Sequence, residues 1–210
     1  MNLNNHYWYF KKAIPDHTCD GIIKHALQKK DSIALTGKEQ DKLKKGESLK
    51  EDDLKSLITT KRNSNIVWLN DQWIYNLIIP YVRSANQNAG WNFEFDWSES
   101  CQFTIYKENQ YYGWHCDSHI DPYTDGNLKN KIRKLSVTVS LNDGSEYEGG
   151  ELEFDFRNGE PEEDKTKLCT EIFKKGSLVV FPSFVWHRVK PVVEGTRYSL
   201  VVWNCGSTFK

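Results

Sequence analysis

The stretch Leu135-Ser-Val-Thr-Val-Ser-Leu-Asn-Asp-Gly144 alternates aliphatic and hydroxyl-bearing side chains and then ends in a turn signal. Alternation with a period of two places the aliphatic residues on one face of a β-strand and the hydroxyls on the other. The Asn-Asp-Gly sequence favours a tight turn, because these residues tolerate positive φ or bond to their own backbone. The stretch therefore predicts a strand with one buried face, followed by a reversal of the chain.

Seven further runs of this kind lie in the second half of the chain, separated by turn-rich segments such as Glu148-Gly-Gly150. With Leu135–Leu141, the predicted strands are Cys101–Lys107, Tyr111–Asp117, Glu151–Phe156, Leu168–Phe173, Ser177–Phe181, Val185–Val189 and Arg197–Asn204. Many short strands with turns between them favour a sandwich or a barrel.

The first half of the chain predicts mainly helices. A short strand at Tyr7–Lys11 precedes a helix that Asp16 or Thr18 would cap, and a second helix, perturbed at Pro80, is predicted at Asp71–Ala89. The charged stretch 38–61 is typical of a solvated helix or a mobile loop. Because helices precede the strands rather than alternate with them, the sequence predicts an α+β, mainly β fold.

Composition limits the classes of protein to which the chain could belong. Its 28 basic and 29 acidic residues give a net charge of −1, which argues against the broad basic surface of a general nucleic-acid binder. The five Cys residues are odd in number and form no CxxC pair, and no signal peptide is recognised, so we expect reduced thiols and a cytoplasmic location. No apolar run approaches the length of a membrane span, so no membrane partner is expected.

Three residues of the strand-rich half suggest a metal centre. His115 and Asp117 are two apart on a predicted strand, so their side chains share a face, and His187 lies in a later strand. Two His and one carboxylate on one face of a metal leave three positions open, the arrangement of Fe(II) oxygenases. The same ligand types also occur in zinc hydrolases, which stay an alternative. The chain holds a second such pair, His119 and Asp121, and a surface polar cluster is the alternative for either.

Arg197 opens an alternating run after the turn signal Glu194-Gly-Thr196, and Trp203 shares its predicted face. A guanidinium directed into an apolar pocket needs an anion, and its planar fork suits a carboxylate. The alternative is an ion pair with one of the many acidic residues. Trp203 is predicted to line the same pocket, with an ordinary core position as its alternative.

Taken together, these residues resemble the prolyl 4-hydroxylase group of 2-oxoglutarate/Fe(II) dioxygenases. The segment Tyr106-Lys-Glu-Asn-Gln-Tyr-Tyr-Gly-Trp-His-Cys-Asp117 resembles the family's approach to the iron, and 181–192 its last ligand strand. Tyr106 and Tyr112 lie nine and three residues before His115, as in the family, which favours His115 over His119. The resemblance extends over about 60–205. Arg197 stands where collagen-type members generally carry Lys, and is closer to the pattern of bacterial and phage-like members.

The resemblance implies a double-stranded β-helix, or jelly roll, with N-terminal helices packed outside. We expect one domain over 1–210, with 1–100 as support and entrance and 101–205 as the core. The implied cofactors are Fe(II), 2-oxoglutarate and O2, with ascorbate as an auxiliary reductant. The implied iron ligands are His115, Asp117 and His187. Arg197, with Tyr106, would bind the far carboxylate of 2-oxoglutarate, and Trp203 would wall the co-substrate pocket.

The implied reaction is hydroxylation of an unactivated C–H bond, of a prolyl residue in a peptide or protein, giving succinate and CO2. The stretch 61–69 resembles the segment beside the family's substrate entrance, so Arg62, Trp68 and Tyr112 are predicted to contact substrate. The alternatives are hydroxylation of another amino acid or a small metabolite, and a non-catalytic cupin-like binding module. The sequence assigns no oligomeric state, and no role to His119 or Asp121.

Overall fold

The structure, a computed structural model, describes residues 3–36, 42–43, 46–118, 121–157 and 159–209. The helices described from end to end are α1 (Asp16–Leu27), α2 (Glu51–Thr60) and α3 (Gln72–Asn88). Within this part of the chain, no helix is long and apolar enough to cross a membrane.

Fifteen strands occur in the described residues. In chain order they are β1 (Trp8–Phe10), β2 (Ser32–Ile33), β3 (Arg62–Asn63), β4 (Asn65–Leu69), β5 (Trp97–Ser98), β6 (Cys101–Tyr106), β7 (Tyr111–His115), β8 (Lys131–Ser140), β9 (Tyr147–Gly149), β10 (Leu152–Asp155), β11 (Lys167–Leu168), β12 (Leu178–Pro182), β13 (Trp186–Val189), β14 (Val192–Gly195) and β15 (Arg197–Ser207).

These strands form two main antiparallel sheets that face each other. The major sheet has the order β1-β12-β8-β15-β6-β4-β2, with β5 paired to β15, and the minor sheet has the order β11-β10-β13-β7-β3. Between the sheets, the ring of Phe181 on β12 lies 4.9 Å from Phe154 on β10 and 4.8 Å from His187 on β13. This arrangement is the predicted jelly roll, and the prediction is confirmed.

Helices α1 and α3 pack on the outer face of the major sheet. Ile74, Ile78 and Val82 of α3 recur every four residues and are fully buried, in one core cluster with Val137 and Val139 of β8. Each such side chain contributes about 1.5–3 kcal/mol by leaving water. The polar residues of β8 point the other way, towards the minor sheet, so the alternation read from the sequence separates the core from the pocket.

Two details of the first half differ from the predictions. Pro15 occupies the N-cap of α1 and no side chain caps that helix, so the predicted cap at Asp16 or Thr18 is wrong. Asp16 instead lies in the first turn, where its charge favours the helix dipole. The second predicted helix is confirmed as α3, which continues through Pro80. Of the stretch 38–61, residues 51–60 form the helix α2, whereas 38–41 and 44–45 lie outside the described residues.

One predicted strand of the second half is wrong. In Leu168–Phe173 only Leu168 pairs with β10, and residues 170–172 form a 3₁₀ turn. Its apolar pattern arises because Cys169 and Ile172 are buried in the turn. The other predicted strands are present with shifted ends, and the one ending at Asp117 stops at His115. The strand β4, which crosses the region predicted only as an entrance segment, was not predicted.

Candidate metal centre

Strand pairing and one loop bring His115, Asp117 and His187 together. His115 ends β7 and lies directly opposite His187 on β13. Asp117 lies past the end of β7, where its backbone N–H donates to the carbonyl of Ser183 over 2.8 Å. One candidate ligand atom from each residue lies within 4.8 Å of the others, so the three could hold a metal ion. The predicted grouping is therefore present, although a loop, and not strand alternation, returns Asp117 to the histidines.

The hydrogen bonds of both imidazoles leave the same nitrogen free. Nδ1 of His115 lies 2.8 Å from the carbonyl of Gly113, and Nδ1 of His187 lies 2.9 Å from that of Val185. Because a carbonyl only accepts, each Nδ1 donates, which leaves Nε2 as the nitrogen available to a metal. Carbonyls commonly orient metal-binding histidines in this way. The two Nε2 atoms lie 3.7 Å and 3.4 Å from the carboxylate oxygens of Asp117.

The protonation states suit metal binding. Burial lowers the pKa of the His115 imidazole well below its usual value, and the neighbouring His187 lowers it further. Burial alone would raise the pKa of Asp117, but His187, His115, Arg133 and the Ser136 hydroxyl lower it to about 2. Near neutral pH the site thus offers imidazole nitrogen and an ionised carboxylate. This donor set, with its remaining positions open, fits Fe(II).

A buried hydrogen-bond network supports the carboxylate. The Ser136 hydroxyl donates to Oδ2 of Asp117 over 2.7 Å and lies 2.9 Å from the Ser183 hydroxyl. Arg133 donates to the backbone carbonyl of Asp117 at 3.5 Å and makes two bonds of 2.6 Å to Glu99. The sequence analysis missed all four partners. Of these four residues, only Ser136 could have been found from the sequence, because it lies on the polar face of an alternating strand.

Arg197 lies at the other end of the inner face of the major sheet. It begins β15 directly opposite Tyr106 of β6, its guanidinium carbon is 5.5 Å from the Tyr106 ring, and it is 2% exposed. Its guanidinium donates to the Ser199 hydroxyl over 3.3 Å. Among the described residues no carboxylate lies within 4.0 Å of it, so the alternative of an ion pair within the chain finds no partner there. A buried cation of this kind fits the carboxylate of a 2-oxo diacid.

Polar side chains cover the sheet between Arg197 and the metal centre. The strand registers place them on the same inner face, and all are buried: Gln102, Thr104, Thr138, Ser140 and Ser199. Trp203 lies at the metal end of this face, opposite Ser136, with the Arg133 guanidinium 4.0 Å from its ring. Its buried indole N–H finds no acceptor among the described residues. That Trp203 walls the co-substrate pocket stays a prediction.

The predicted substrate residues border the metal centre. The Tyr112 ring stacks on His115 with centroids 3.5 Å apart, and the guanidinium carbon of Arg62 lies 4.3 Å from the Tyr112 ring. Arg62 is buried and donates to the Ser64 hydroxyl, while its Nη2 has no acceptor among the described residues. The half-exposed Trp68 contacts Trp203 at 6.2 Å between ring centroids.

The second His-x-Asp pair stays without a role. Asp121 is exposed and His119 lies outside the described residues. Among the described residues, the cluster of candidate ligands comprises only the first pair and His187.

Comparison with known proteins gives a family and several relatives. The profile of the 2OG-Fe(II) oxygenase superfamily matches residues 101–205. A PKHD-type hydroxylase of Xylella fastidiosa (strain 9a5c) is 38% identical over 105 residues, 49% of this chain and 42% of the relative. A PKHD-type hydroxylase of Psychrobacter sp. (strain PRwf-1) is 36% identical over 102 residues, 48% of this chain and 36% of the relative. The matched part spans less than half the length of these curated relatives.

Solved structures share the fold at low identity. A viral collagen prolyl hydroxylase from Paramecium Bursaria Chlorella virus-1, bound to 2-oxoglutarate, has a TM-score of 0.65, 22% identity and 97% coverage of each chain. A Pseudomonas putida prolyl-4-hydroxylase has a TM-score of 0.61 and 18% identity, covering 96% of this chain and 92% of that one. A Trichoplax adhaerens prolyl hydroxylase, in complex with a hypoxia inducible factor peptide fragment, has a TM-score of 0.59 and 19% identity, covering 96% and 84%. These likenesses show a common jelly-roll fold.

Proposed function

The chain belongs to the 2OG-Fe(II) oxygenase superfamily, and from this premise we propose that it is a hydroxylase in which His115, Asp117 and His187 hold Fe(II) and Arg197 anchors 2-oxoglutarate. The observation that carries the proposal is the presence of two features in the space between the two sheets. A cluster of two histidines and a carboxylate lies at one end. A buried guanidinium, with no carboxylate within reach among the described residues, lies at the other.

When bound, Fe(II), 2-oxoglutarate and O2 supply the oxidation that hydroxylates an unactivated C–H bond and leaves succinate and CO2. The protein supplies position and charge. Arg197 would bind the far carboxylate of the co-substrate beside the Tyr106 ring. Ser199 holds the guanidinium in place. The Ser136 hydroxyl fixes the orientation of the Asp117 carboxylate before any metal binds. Ascorbate as an auxiliary reductant stays a prediction.

The proposed substrate is a prolyl residue in a peptide or protein. Several relatives are called PKHD-type hydroxylases, and one structural neighbour is a prolyl hydroxylase in complex with a peptide fragment. Arg62 lies beside the Tyr112 ring, which stacks on His115, so its guanidinium borders the metal centre. Tyr112 would contact the residue that is hydroxylated, and Trp68 the chain leading to it.

Two further predictions belong to this proposal. One core cluster joins residues from Ile14 to Val202, which supports a single domain with 1–100 bracing the barrel at 101–205. All five cysteines are free, which supports a reducing compartment such as the cytoplasm.

The test is succinate formation from 2-oxoglutarate under air, by protein loaded with Fe(II) without oxygen. Succinate should depend on Fe(II), disappear in His187→Ala and require far more 2-oxoglutarate in Arg197→Ala. His17→Ala, which changes an exposed histidine of α1, is the matched control and should behave as wild type. A prolyl peptide should gain the mass of one oxygen atom. Absence of both turnover and 2-oxoglutarate binding in the Fe(II) form would overturn the proposal.

A further inference from the structure

Two arginines are almost completely buried in the part of the chain that the structure describes, Arg62 at 3% and Arg197 at 2% exposed. Both donate to the hydroxyl of the serine two residues later. The guanidinium of Arg62 donates to Ser64 over 2.9 Å. That of Arg197 donates to Ser199 over 3.3 Å. Neither guanidinium lies within 4.0 Å of a carboxylate of the described residues. A buried cation without an anion is costly, so Arg62, like Arg197, requires an anionic partner.

The two arginines lie on different sheets. Arg197 begins β15 in the major sheet, opposite Tyr106. Arg62 lies on β3, the edge strand of the minor sheet, directly opposite Tyr112 of β7. In the proposed function the far carboxylate of 2-oxoglutarate is the partner of Arg197. Arg62 therefore needs a second anion.

The position of Arg62 connects it to the metal centre through one aromatic ring. Its guanidinium carbon lies 4.3 Å from the centroid of the Tyr112 ring, and that ring stacks on His115 with centroids 3.5 Å apart. The backbone N–H of Gly113 donates to the carbonyl of Lys61 over 2.8 Å, and an added Cβ on Gly113 would lie 3.1 Å from that oxygen. The glycine thus permits the close approach of β3 to the strand that ends at His115.

The donors that remain free on Arg62 indicate which anion would fit. Nε is used by Ser64, whereas no described residue accepts from the terminal nitrogens, and Nη2 is buried. Attraction to the face of the Tyr112 ring consumes no N–H group. The two terminal NH2 groups are therefore left for one planar partner, and a carboxylate matches them with two parallel hydrogen bonds. A peptide carbonyl would satisfy one donor and leave the buried charge uncompensated.

The short connection to His115 limits where this carboxylate can be in a substrate. Only the Tyr112 ring separates the guanidinium from the ligand, so the carboxylate belongs to the reacting residue or to its immediate neighbour. We propose that Arg62 binds a carboxylate of the substrate, next to the prolyl ring that is hydroxylated, an inference that rests on the proposed function. The carboxylate is either the α-carboxylate of a free or C-terminal proline or the side chain of an adjacent aspartate or glutamate.

The first test compares matched pairs of probes by titration calorimetry, with the whole chain in the presence of Mn(II) and 2-oxoglutarate. One pair is a tetrapeptide ending in proline with a free or an amidated C-terminus, and another is free proline against prolinamide. The third is a capped peptide with glutamate or glutamine directly after the proline. In at least one pair the carboxylate member should bind about 10- to 100-fold more tightly, the range of a charged hydrogen bond. The pair that shows the preference identifies the source of the carboxylate.

Arg62→Met should abolish the preference and bind the uncharged members as the wild type does. Arg62→Lys keeps the charge without the planar fork and should recover part of the preference. The matched control is Arg83→Met, which changes an exposed arginine of α3 and should keep the full preference. The inference is overturned if no wild-type pair shows a preference, if no carboxylate probe binds, or if the preference survives Arg62→Met.

Unfolding in urea separates recognition from a role in the fold. Because Arg62 has no anionic partner among the described residues, Arg62→Met should unfold at no lower urea concentration than the wild type. A clearly lower midpoint would show that Arg62 serves the fold, and would overturn the inference.

Turnover separates this inference from the proposed function. Arg62→Met should raise KM for the preferred carboxylate substrate about 10- to 100-fold, while KM for 2-oxoglutarate stays at its wild-type value. A rise in KM for 2-oxoglutarate instead would assign Arg62 to the co-substrate and overturn the inference. A carboxylate preference that requires Arg62, in a protein that forms no succinate, would sink the proposed function and keep the carboxylate site. Normal succinate formation with no preference for carboxylate substrates would do the reverse.

Discussion

The Ser136 hydroxyl lies 2.7 Å from Oδ2 of Asp117, and both side chains are buried. Ser183 supports the same carboxylate, since its hydroxyl lies 2.9 Å from that of Ser136 and its carbonyl accepts a hydrogen bond from the backbone N–H of Asp117. Ser136 and Ser183 together are called here the Asp117 clamp. Ser136 on strand β8 and Ser183 in the turn between β12 and β13 therefore hold the Asp117 carboxylate, although Asp117 itself follows β7. The orientation of this candidate ligand is set by the fold, before metal binds.

Ser136→Ala should weaken Fe(II) binding about 10- to 100-fold, the effect usually seen when a partner of a metal ligand is lost. The reason is that Asp117 would rotate freely and leave a buried oxygen without its donor. Anaerobic titration with Fe(II), or with Mn(II) as a redox-stable probe, measures the affinity directly. Ser136→Thr keeps the hydroxyl and should recover most of the affinity. An unchanged affinity in Ser136→Ala would show that Asp117 does not need this clamp.

Arg197→Met should not destabilise the protein in the absence of 2-oxoglutarate, because it removes a buried charge that has no carboxylate partner among the described residues. Saturation with 2-oxoglutarate should stabilise only the wild type, by about 2.7 kcal/mol at one hundred times Kd. Urea unfolding of the Fe(II)- or Mn(II)-loaded protein, with and without the ligand, measures both quantities.

Arg133→Met is the matched control for that experiment. Arg133 is also buried, but it has a carboxylate partner in Glu99. Its loss leaves that partner unpaired and should cost about 3–5 kcal/mol. A comparable loss in Arg197→Met would mean that Arg197 serves the fold, and would argue against its role as an anion anchor.

The Glu99–Arg133 pair also predicts how stability depends on pH. Burial alone would raise the pKa of Glu99, but the hydrogen bonds and charge of Arg133 outweigh it and hold that pKa below its usual value. The folded protein then binds fewer protons than the unfolded chain, so the pair stabilises above the unfolded pKa of about 4.3. This contribution is lost as pH falls through the lower pKa of the folded state.

Glu99→Gln should therefore show a shallower loss of unfolding free energy between about pH 5 and 3 than the wild type. At pH 7 it should be less stable by about 3–5 kcal/mol, because the buried Arg133 guanidinium loses its anionic partner. Glu51→Gln, which changes an exposed carboxylate of α2, should keep the wild-type slope. Parallel slopes for Glu99→Gln and wild type would contradict the assignment.

The sequence could predict those site residues whose position follows from short-range pattern. His115 and His187 lie on strands marked by alternation, and Arg197 begins a strand that a turn signal announces. The count of such strands predicted a sandwich or a barrel, and the family resemblance specified the jelly roll. A four-residue apolar spacing is equally local, and it marks the buried residues Ile74, Ile78 and Val82 of α3.

The supporting network could not be predicted, because its partners lie far apart in the chain. Arg133 and Glu99 are 34 residues apart, and either residue alone is indistinguishable from a surface charge. The failed strand at Leu168–Phe173 has another cause, since a buried 3₁₀ turn gives the same run of apolar residues as a strand. An apolar pattern reports which residues are buried, and both a strand and a 3₁₀ turn can bury the same run of residues.

Gly150→Ala should displace the co-substrate anchor. Gly150 has φ of 65°, and an added Cβ would lie 2.9 Å from Val192 Cγ2 and 3.1 Å from Arg197 Cδ. The positive φ alone costs an Ala residue about 1–2 kcal/mol. Because the crowding involves the stem of Arg197, the KM for 2-oxoglutarate should rise about tenfold, equivalent to about 1.4 kcal/mol of lost binding. Gly126→Ala shares the positive φ, at 61°, but meets nothing within 4 Å. Gly126→Ala should lose similar stability and keep the wild-type KM for 2-oxoglutarate. An equal KM in wild type, Gly150→Ala and Gly126→Ala would show that Arg197 can shift and still bind 2-oxoglutarate.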